Sequence, residues 1–379
     1  MSGLLGSGPR PTRRTFLRAG LALGAATGVT GCAFTGSDTP KAASLPRSAK
    51  AKIDGDLVYF NWAYYLDPGV LKGFQKEYGV KIIESNFDSM EGMYAKIAAG
   101  NRYDIVFPIA KWVVKMRREG KLRAIDHSRL SNADQVFYSG SYFNHPWYDP
   151  GSRVSVPFTV YKTGIGWRTD KVDTMRGSWR DLWNPKAAGH IFTLDDQDEA
   201  LAMAALLLGY DVNTAAPKQL AEMKKLLISQ KKYLRAYSSD DINNMKSGDA
   251  WIHHMWSGDF LYLREALAKD KSMYDFEAPR EGAPINSDTY AIPANAKHPG
   301  TAMVFIDYLL RPENAVKNIH YLYYPFPVRD AVSSFKALAK DVPACNVDVK
   351  DLENPDVFKL LSPAETQRRT AVWTDVKAA

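Results

Sequence analysis

Short apolar runs alternate along the chain with segments whose apolar positions recur at helical spacing. Asp56-Leu57-Val58-Tyr59-Phe60 predicts a buried strand. Pro68-Gly69 opens a helix with Val70, Leu71, Phe74 and Tyr78 on one face, and Gly79 ends it. Val80-Lys81-Ile82-Ile83 is the next strand. Met90 to Ala99 is a helix whose apolar side carries Met90, Met93, Tyr94 and Ile97. Asp104-Ile105-Val106-Phe107 is a strand closed by Pro108, and Lys111 to Glu119 is again helical. The rhythm returns with helices at Glu199–Leu208, Pro217–Ser229, Gly258–Ala268 and Gly300–Leu310. Strands separated by helices of this length predict an α/β protein with a parallel sheet covered on both faces. No internal repeat is visible at a period of about 20–50 residues.

The 379 residues are enough for two or three domains. With 45% hydrophobic and 24% charged residues, the chain is ordinary for a globular protein and excludes a mostly disordered one. The formal charge is +7, but Arg10, Arg13, Arg14 and Arg18 carry four of those positives. The remainder, about +3, lacks the dense basic face that a nucleic-acid partner would need. Two cysteines, Cys32 and Cys345, exclude a disulfide-rich scaffold and a cysteine-based zinc cluster. Cys345 reads as a small, partly buried residue without a role.

The first residues read as an address. Thr12-Arg13-Arg14-Thr15-Phe16-Leu17-Arg18 has the pattern of a twin-arginine export signal, followed by a weakly apolar stretch from Ala19 to Gly31. That stretch is shorter than the roughly 20 apolar residues a bilayer span requires. It ends Val29-Thr30-Gly31-Cys32, which resembles a bacterial lipobox with Cys32 as the lipidated residue. Residues 1–31 are therefore expected to be a signal peptide. Residues 32–54 are expected to be a lipid-anchored tether, since Ala33 to Lys52, rich in Ser, Thr, Pro, Ala and Lys, predicts no fold of its own.

In open α/β sheets, ligands sit at the carboxyl ends of strands. Those positions here deliver rings and acids. Asn61, Trp62, Tyr64 and Tyr65 follow the first strand. Asp195, Asp196, Asp198 and Glu199 follow the run Ile191–Leu194, and Trp256 and Asp259 follow Trp251–Met255. Ring faces attract ammonium groups and stack on methylenes, while carboxylates accept N–H bonds, so such a cleft suits an organic cation. Asp195 and Asp198 are expected to serve only the N-terminus of the following helix, where its dipole favours acids. The neighbours His253 and His254 point to opposite faces of a strand and read as core rather than as metal ligands.

At these residues the chain resembles the spermidine/putrescine-binding proteins of bacterial ABC importers. The resemblance runs from about Asp56 to Lys377. It rests on Asn61-Trp62 with Tyr65 and Pro68-Gly69, Met93-Tyr94-Ala95-Lys96, Tyr103-Asp104-Ile105-Val106 with Pro108, and Lys115-Met116-Arg117-Arg118-Glu119-Gly120. Further matches are Ser178-Trp179 with Asp181-Leu182-Trp183, Asp195-Asp196 with Glu199, and Trp256-Ser257-Gly258-Asp259. The most telling are Ala291 to Lys297 and Phe305 to Pro312.

The resemblance implies a two-domain periplasmic-binding-protein-like fold: two α/β domains joined by crossing hinge strands, with the ligand cleft between. Residues 55–158 plus 287–324 would form domain 1, and residues 159–286 plus 325–379 domain 2. Trp62, Tyr65, Trp256 and Tyr324 would be the rings of the site. Asp196, Glu199, Asp259 and Asp288 would be its acids, and Ser239 a small polar residue. Ala63, Ile109, Lys111 and Asn286 depart from the family pattern, replacing a hydroxyl, a serine and two aromatics. Of these Lys111 matters most, because a cation within a cation site repels the ligand or takes one of its acid partners.

The implied protein is not an enzyme, needs no cofactor or resident metal, is expected to be a monomer, and hands its solute to an ABC permease. Two alternatives stand beside it. Tyr323-Tyr324 is similar to the adjacent tyrosines of ferric-iron-binding relatives. Asp196 with Asp259 could serve a lipid-anchored hydrolase as acid and base, although no nucleophile motif accompanies them.

Overall fold

The computed structural model describes residues 45–136, 146–353 and 356–379. The export signal, the lipobox and Cys32 lie outside the described residues.

The first helix shows how local sequence sets the elements. Asp67 accepts the backbone N–H groups of Gly69 and Val70 at 2.6 and 3.0 Å and starts α1 (Pro68–Tyr78), with Pro68 in the first turn. Val70, Leu71 and Phe74 are buried, and Gly79 at φ +66° stops the helix in the left-handed region. Ser89 caps α2 (Met90–Ala98), which buries Met90, Met93 and Ile97. The helices α3 (Ala110–Arg118), α4 (Gln197–Leu207), α5 (Pro217–Gln230), α6 (Asp241–Ser247) and α7 (Ser257–Tyr262) follow. After them come α8 (Pro299–Leu309), α9 (Pro312–Leu322), α10 (Val332–Leu338), α11 (Val349–Glu353) and α12 (Pro363–Ala378). The helix expected over Gly258–Ala268 is α7 continued by a wider π turn, Leu263–Leu267.

The strands are β1 (Leu57–Trp62), β2 (Ile82–Phe87), β3 (Ile105–Val106), β4 (Ser155–Arg168) and β5 (Ile191–Thr193). They continue as β6 (Leu234–Tyr237), β7 (Ile252–Trp256), β8 (Tyr274–Glu277) and β9 (Ile285–Ala291). They join in the order β2-β1-β3-β9-β4-β7-β5-β6, with β8 beside β4. The β1–β2, β1–β3, β5–β6 and β5–β7 pairs are parallel. The expected parallel pairing is found within each half, and β4 and β9 depart from it. These pair antiparallel with each other, β9 is antiparallel to β3, and β4 is antiparallel to β7 and β8. They separate a first half, built on β1, from a second half, built on β5. The first part of β4, Ser155–Lys162, pairs with β9, while its second part, from Thr163, pairs with β7.

Each half has its own covering. In the first, α1 and α8 meet through Phe74 and Phe305, whose rings lie 4.8 Å apart. In the second, Trp179, Leu201, Met223 and Trp373 belong to a separate apolar cluster around α4, α5 and α12.

Residues 45–54 do not behave as the free tether their composition suggested. The backbone N–H of Ala124 donates to Pro46 O at 3.0 Å, and that of Asp126 to Ser48 Oγ at 3.0 Å. Asp54 accepts the N–H groups of Gly300 and Thr301, both at 2.9 Å, at the start of α8. Polar composition was outweighed here by backbone N–H groups of the body of the protein, which donate to Pro46, Ser48 and Asp54.

Candidate functional site

A cavity of about 1170 Å³ opens between the two halves, where the carboxyl ends of the parallel strands face the helix N-termini. From the first half it is lined by Trp62, Met90, Glu91, Ile109 and Lys111, and from the second by Asp196, Asp198, Glu199 and Trp256. Tyr161 and Asn286, on the two central strands, also line it.

Glu199 is the centre of the hydrogen bonding. Alternation along a strand puts Thr159, Tyr161 and Thr163 on one face of β4, and Asn286 and Asp288 on one face of β9. In register, Thr163 stands opposite Trp256 and Tyr161 opposite Asn286. Thr163 Oγ1, Asn286 Nδ2 and Trp256 Nε1 all donate to Glu199 Oε1, at 3.0, 3.1 and 3.2 Å. The second carboxyl oxygen, Oε2, is buried and accepts no hydrogen bond among the described residues. Burial, followed by the charge of Asp196, pushes this carboxyl up to about 8, against the pull of the Trp256 and Thr163 hydrogen bonds. Asp196 in turn caps α4, accepting the N–H groups of Asp198 and Glu199 at 2.9 and 3.2 Å. A buried acid with one oxygen fully engaged and the other facing no donor is ready for a cationic N–H group.

A second cluster lies on the β9 side. Asp288 is fully buried, and its Oδ2 accepts Tyr65 Oη at 2.5 Å and Thr159 Oγ1 at 3.0 Å. Tyr65 reaches it because Tyr64 takes a left-handed turn at φ +58° after β1. Tyr324 Oη donates to Asp259 Oδ1 at 2.8 Å, and its ring meets those of Tyr65 and Tyr161 edge-on at 6.2 and 5.1 Å.

Of the residues singled out in the sequence, Trp62, Asp196, Glu199 and Trp256 therefore line the cavity directly, with Ile109, Lys111 and Asn286. Tyr65, Asp288, Tyr324 and Asp259 form the linked network beside it. Ser239 is buried between β6 and α6, and Ala63 is exposed; neither is on the cavity wall. Asp196 lines this cavity while Asp259 is not among its lining residues, and the Tyr324 hydroxyl donates to Asp259 while the Tyr323 ring packs on Tyr262 at 5.6 Å. His253 and His254 are fully buried and held neutral by desolvation.

Two features went unread in the sequence. Asp198, taken as an acid serving the helix dipole alone, forms an ion pair with Lys111. Arg369 of α12 is almost completely buried beside it, with Nη2 3.8 Å from Asp198 Oδ1. Burial raises the Asp198 carboxyl, but Lys111 and Arg369 outweigh it and leave it below its ordinary value. Neither pairing has a local sequence signal, since Lys111 and Asp198 are 87 positions apart.

The family profile of bacterial extracellular solute-binding proteins matches residues 69–344. The spermidine/putrescine-binding periplasmic protein of Escherichia coli K12 is 36% identical over 350 residues, which cover 89% of this chain and 92% of that protein. A putrescine/cadaverine-binding protein of Pseudomonas aeruginosa PAO1 is 28% identical over 341 residues, covering 87% and 96%. Among solved structures, the spermidine/putrescine ABC transporter substrate-binding protein of Streptococcus pneumoniae superposes with a TM-score of 0.76 at 28% identity, covering 86% of this chain and 99% of that one. The chain belongs to the bacterial extracellular solute-binding protein family, and its fold is that of the periplasmic binding proteins.

Proposed function

We propose that this chain is the extracytoplasmic receptor of an ABC importer and that it binds a polyamine or similar small organic cation in the cavity between its halves. The observation that carries this reading is Glu199, a buried acid with an unengaged oxygen, flanked by Asp196 and by the rings of Trp62 and Trp256. An ammonium placed there gains a charged hydrogen bond and two ring faces. The names of the relatives, which bind spermidine, putrescine or cadaverine, point the same way.

In this reading Tyr65, Asp259, Asp288, Tyr324 and Ser239 back or extend the site. Residues 55–158 plus 287–324 and residues 159–286 plus 325–379 are the two moving domains, and β4 and β9 are the hinge. Lipidation at Cys32 after twin-arginine export tethers a monomer to the outer face of the membrane, next to the permease.

Calorimetry against putrescine, cadaverine, spermidine, basic amino acids and ferric citrate tests the reading. Binding of at least one amine is expected, and Glu199→Gln should weaken it by about one to two powers of ten, since a charged hydrogen bond contributes roughly 1.5–3 kcal/mol. Heat from ferric citrate alone, or from none of the amines, would overturn the assignment.

A further inference from the structure

Among the described residues, the ion pair between Lys111 and Asp198 joins the two halves across the cavity. Lys111 stands in the first turn of α3, which packs on β9. Its Nζ donates to Asp198 Oδ2, in the first turn of α4 on the other side. Asp198 belongs firmly to the second half. Its other oxygen faces Arg369, whose Nη1 is pinned by the carbonyls of Val212 and Thr214 at 3.0 and 2.9 Å. The first half therefore reaches over with a flexible cation, and the second half presents a fixed acid.

The position of that acid gives the contact its meaning. Asp196, Asp198 and Glu199 all border the same cavity from the start of one helix. The Lys111 ammonium already engages Asp198. The Lys111 side chain is 21% exposed and that of Asp198 24%, so the pair is accessible from the cavity. Of the other cations on the wall, Lys115, Lys359 and Arg369, the last shares Asp198 through its second oxygen at 3.8 Å. Lys115 pairs with Glu119, and Arg369 is anchored to backbone.

We propose that the Lys111 ammonium is a built-in substitute for one ligand ammonium. By satisfying Asp198 across the cleft it draws the two halves together when the cleft is empty. It also restricts the cleft to cations carrying fewer ammonium groups than a triamine. A diamine can use Asp196 and Glu199 without disturbing the pair. A triamine whose last ammonium reaches the start of α4 meets an acid already taken and must displace Lys111, and the like charges then face each other in a partly desolvated space. The proposal rests on the amine reading for its specificity half, whereas the contact between halves stands on geometry alone.

The test uses Lys111→Met, which keeps the length and apolar stem of the side chain without its charge, and Asp198→Asn. Small-angle scattering of the ligand-free proteins should show a larger radius of gyration for Lys111→Met than for the natural chain. With saturating putrescine the two radii should coincide. In calorimetry, the ratio of the spermidine to the putrescine dissociation constant should fall by about tenfold or more in Lys111→Met, one lost charge contact being worth at least that factor. Asp198→Asn should open the empty protein in the same way but should not improve spermidine, because it removes the acid as well. An unchanged ratio in Lys111→Met overturns the specificity role whatever the radius does. If no amine binds the natural chain, the assignment of ligand class fails, and the radius of the empty variants alone decides the contact between halves. An unchanged radius then overturns that too. Circular dichroism identifies a variant that has not folded, and Lys111→Gln replaces Lys111→Met in that event.

Discussion

Glu199 shows how a single side chain couples binding to protons. Burial and the charge of Asp196 push its carboxyl up to about 8, against 4.5 for an ordinary glutamate, so it holds a proton at neutral pH. An ammonium is attracted to the ionised form, and binding below pH 8 must therefore expel that proton. Affinity for a diamine should rise with pH from about 6 to 8, by up to about tenfold per unit. Calorimetry in buffers of different ionisation heat should count close to one proton released near pH 6.5, and none in Glu199→Gln. The stability of the empty protein runs the other way. Between about 4.5 and 8 the folded chain holds a proton that the unfolded chain has lost, so this residue's contribution declines as pH rises. Glu277, also raised to about 8 by burial and by Asp181, adds to the same slope. Gly258 carries a different constraint. A Cβ at this position would lie 2.3 Å from the Tyr324 ring, which must move to admit it. Gly258→Ala should therefore break the Tyr324–Asp259 hydrogen bond and weaken ligand binding, measured by titration of tryptophan fluorescence.

At the scale of elements, β7 combines a site residue with a liability. It ends in Trp256, and its neighbours His253 and His254 are buried against Phe192 and Trp179, with pKa values depressed by desolvation to about 4 and about 3. The unfolded chain takes up these protons from about pH 6.5 downward, while the folded one does not. Their contribution to stability is thus complete above pH 6.5 and is lost as pH falls toward 4 and 3. Neither ring nitrogen of His254 has a hydrogen-bond partner among the described residues. His254→Phe should consequently raise stability by about 1 kcal/mol and flatten the acid limb by about one proton, as read by urea unfolding at pH 7 and pH 5. The helices α1 and α2 were legible in the sequence because each has one apolar face and a side-chain cap. Strand β4 was not. It is buried on both faces for most of its length, and its alternation is hidden by Pro157, Thr159, Lys162, Thr163, Gly164 and Gly166. Of the three donors to Glu199, Asn286 and Trp256 were singled out in the sequence, whereas Thr163 lies within β4 and was not. Arg369 was missed for a similar reason: in a helix rich in charged residues it looks like part of a solvated face, yet its guanidinium is buried.

For the whole molecule, the central strands and the leading segment bear on the proposed closure of the two halves and on the proposed membrane anchor. The two halves are linked where β4 and β9 pass between them, and Val160 N also donates to Pro325 O at 3.1 Å as the chain returns a third time. These are narrow connections, the kind about which two compact units rotate on binding. The proposed anchor must leave that rotation free. Because residues 45–54 are bonded to the first half near Ala124, Asp126 and the start of α8, the chain length from Cys32 to Leu45 sets the reach of the proposed anchor. Thirteen residues span at most about 45 Å when extended, at roughly 3.5 Å each. Under the proposed lipidation, that length would keep the body beside the membrane, and attachment to one half would leave the other free to rotate. Cys32→Ala should therefore give an exported protein that washes off the membrane with unchanged thermal stability and unchanged ligand affinity, because the mutation lies upstream of every bond that holds the leading segment. Fractionation followed by calorimetry on the released protein checks both halves of the argument. A Cys32→Ala protein that stays with the membrane after its signal peptide has been removed would show that the anchor lies elsewhere.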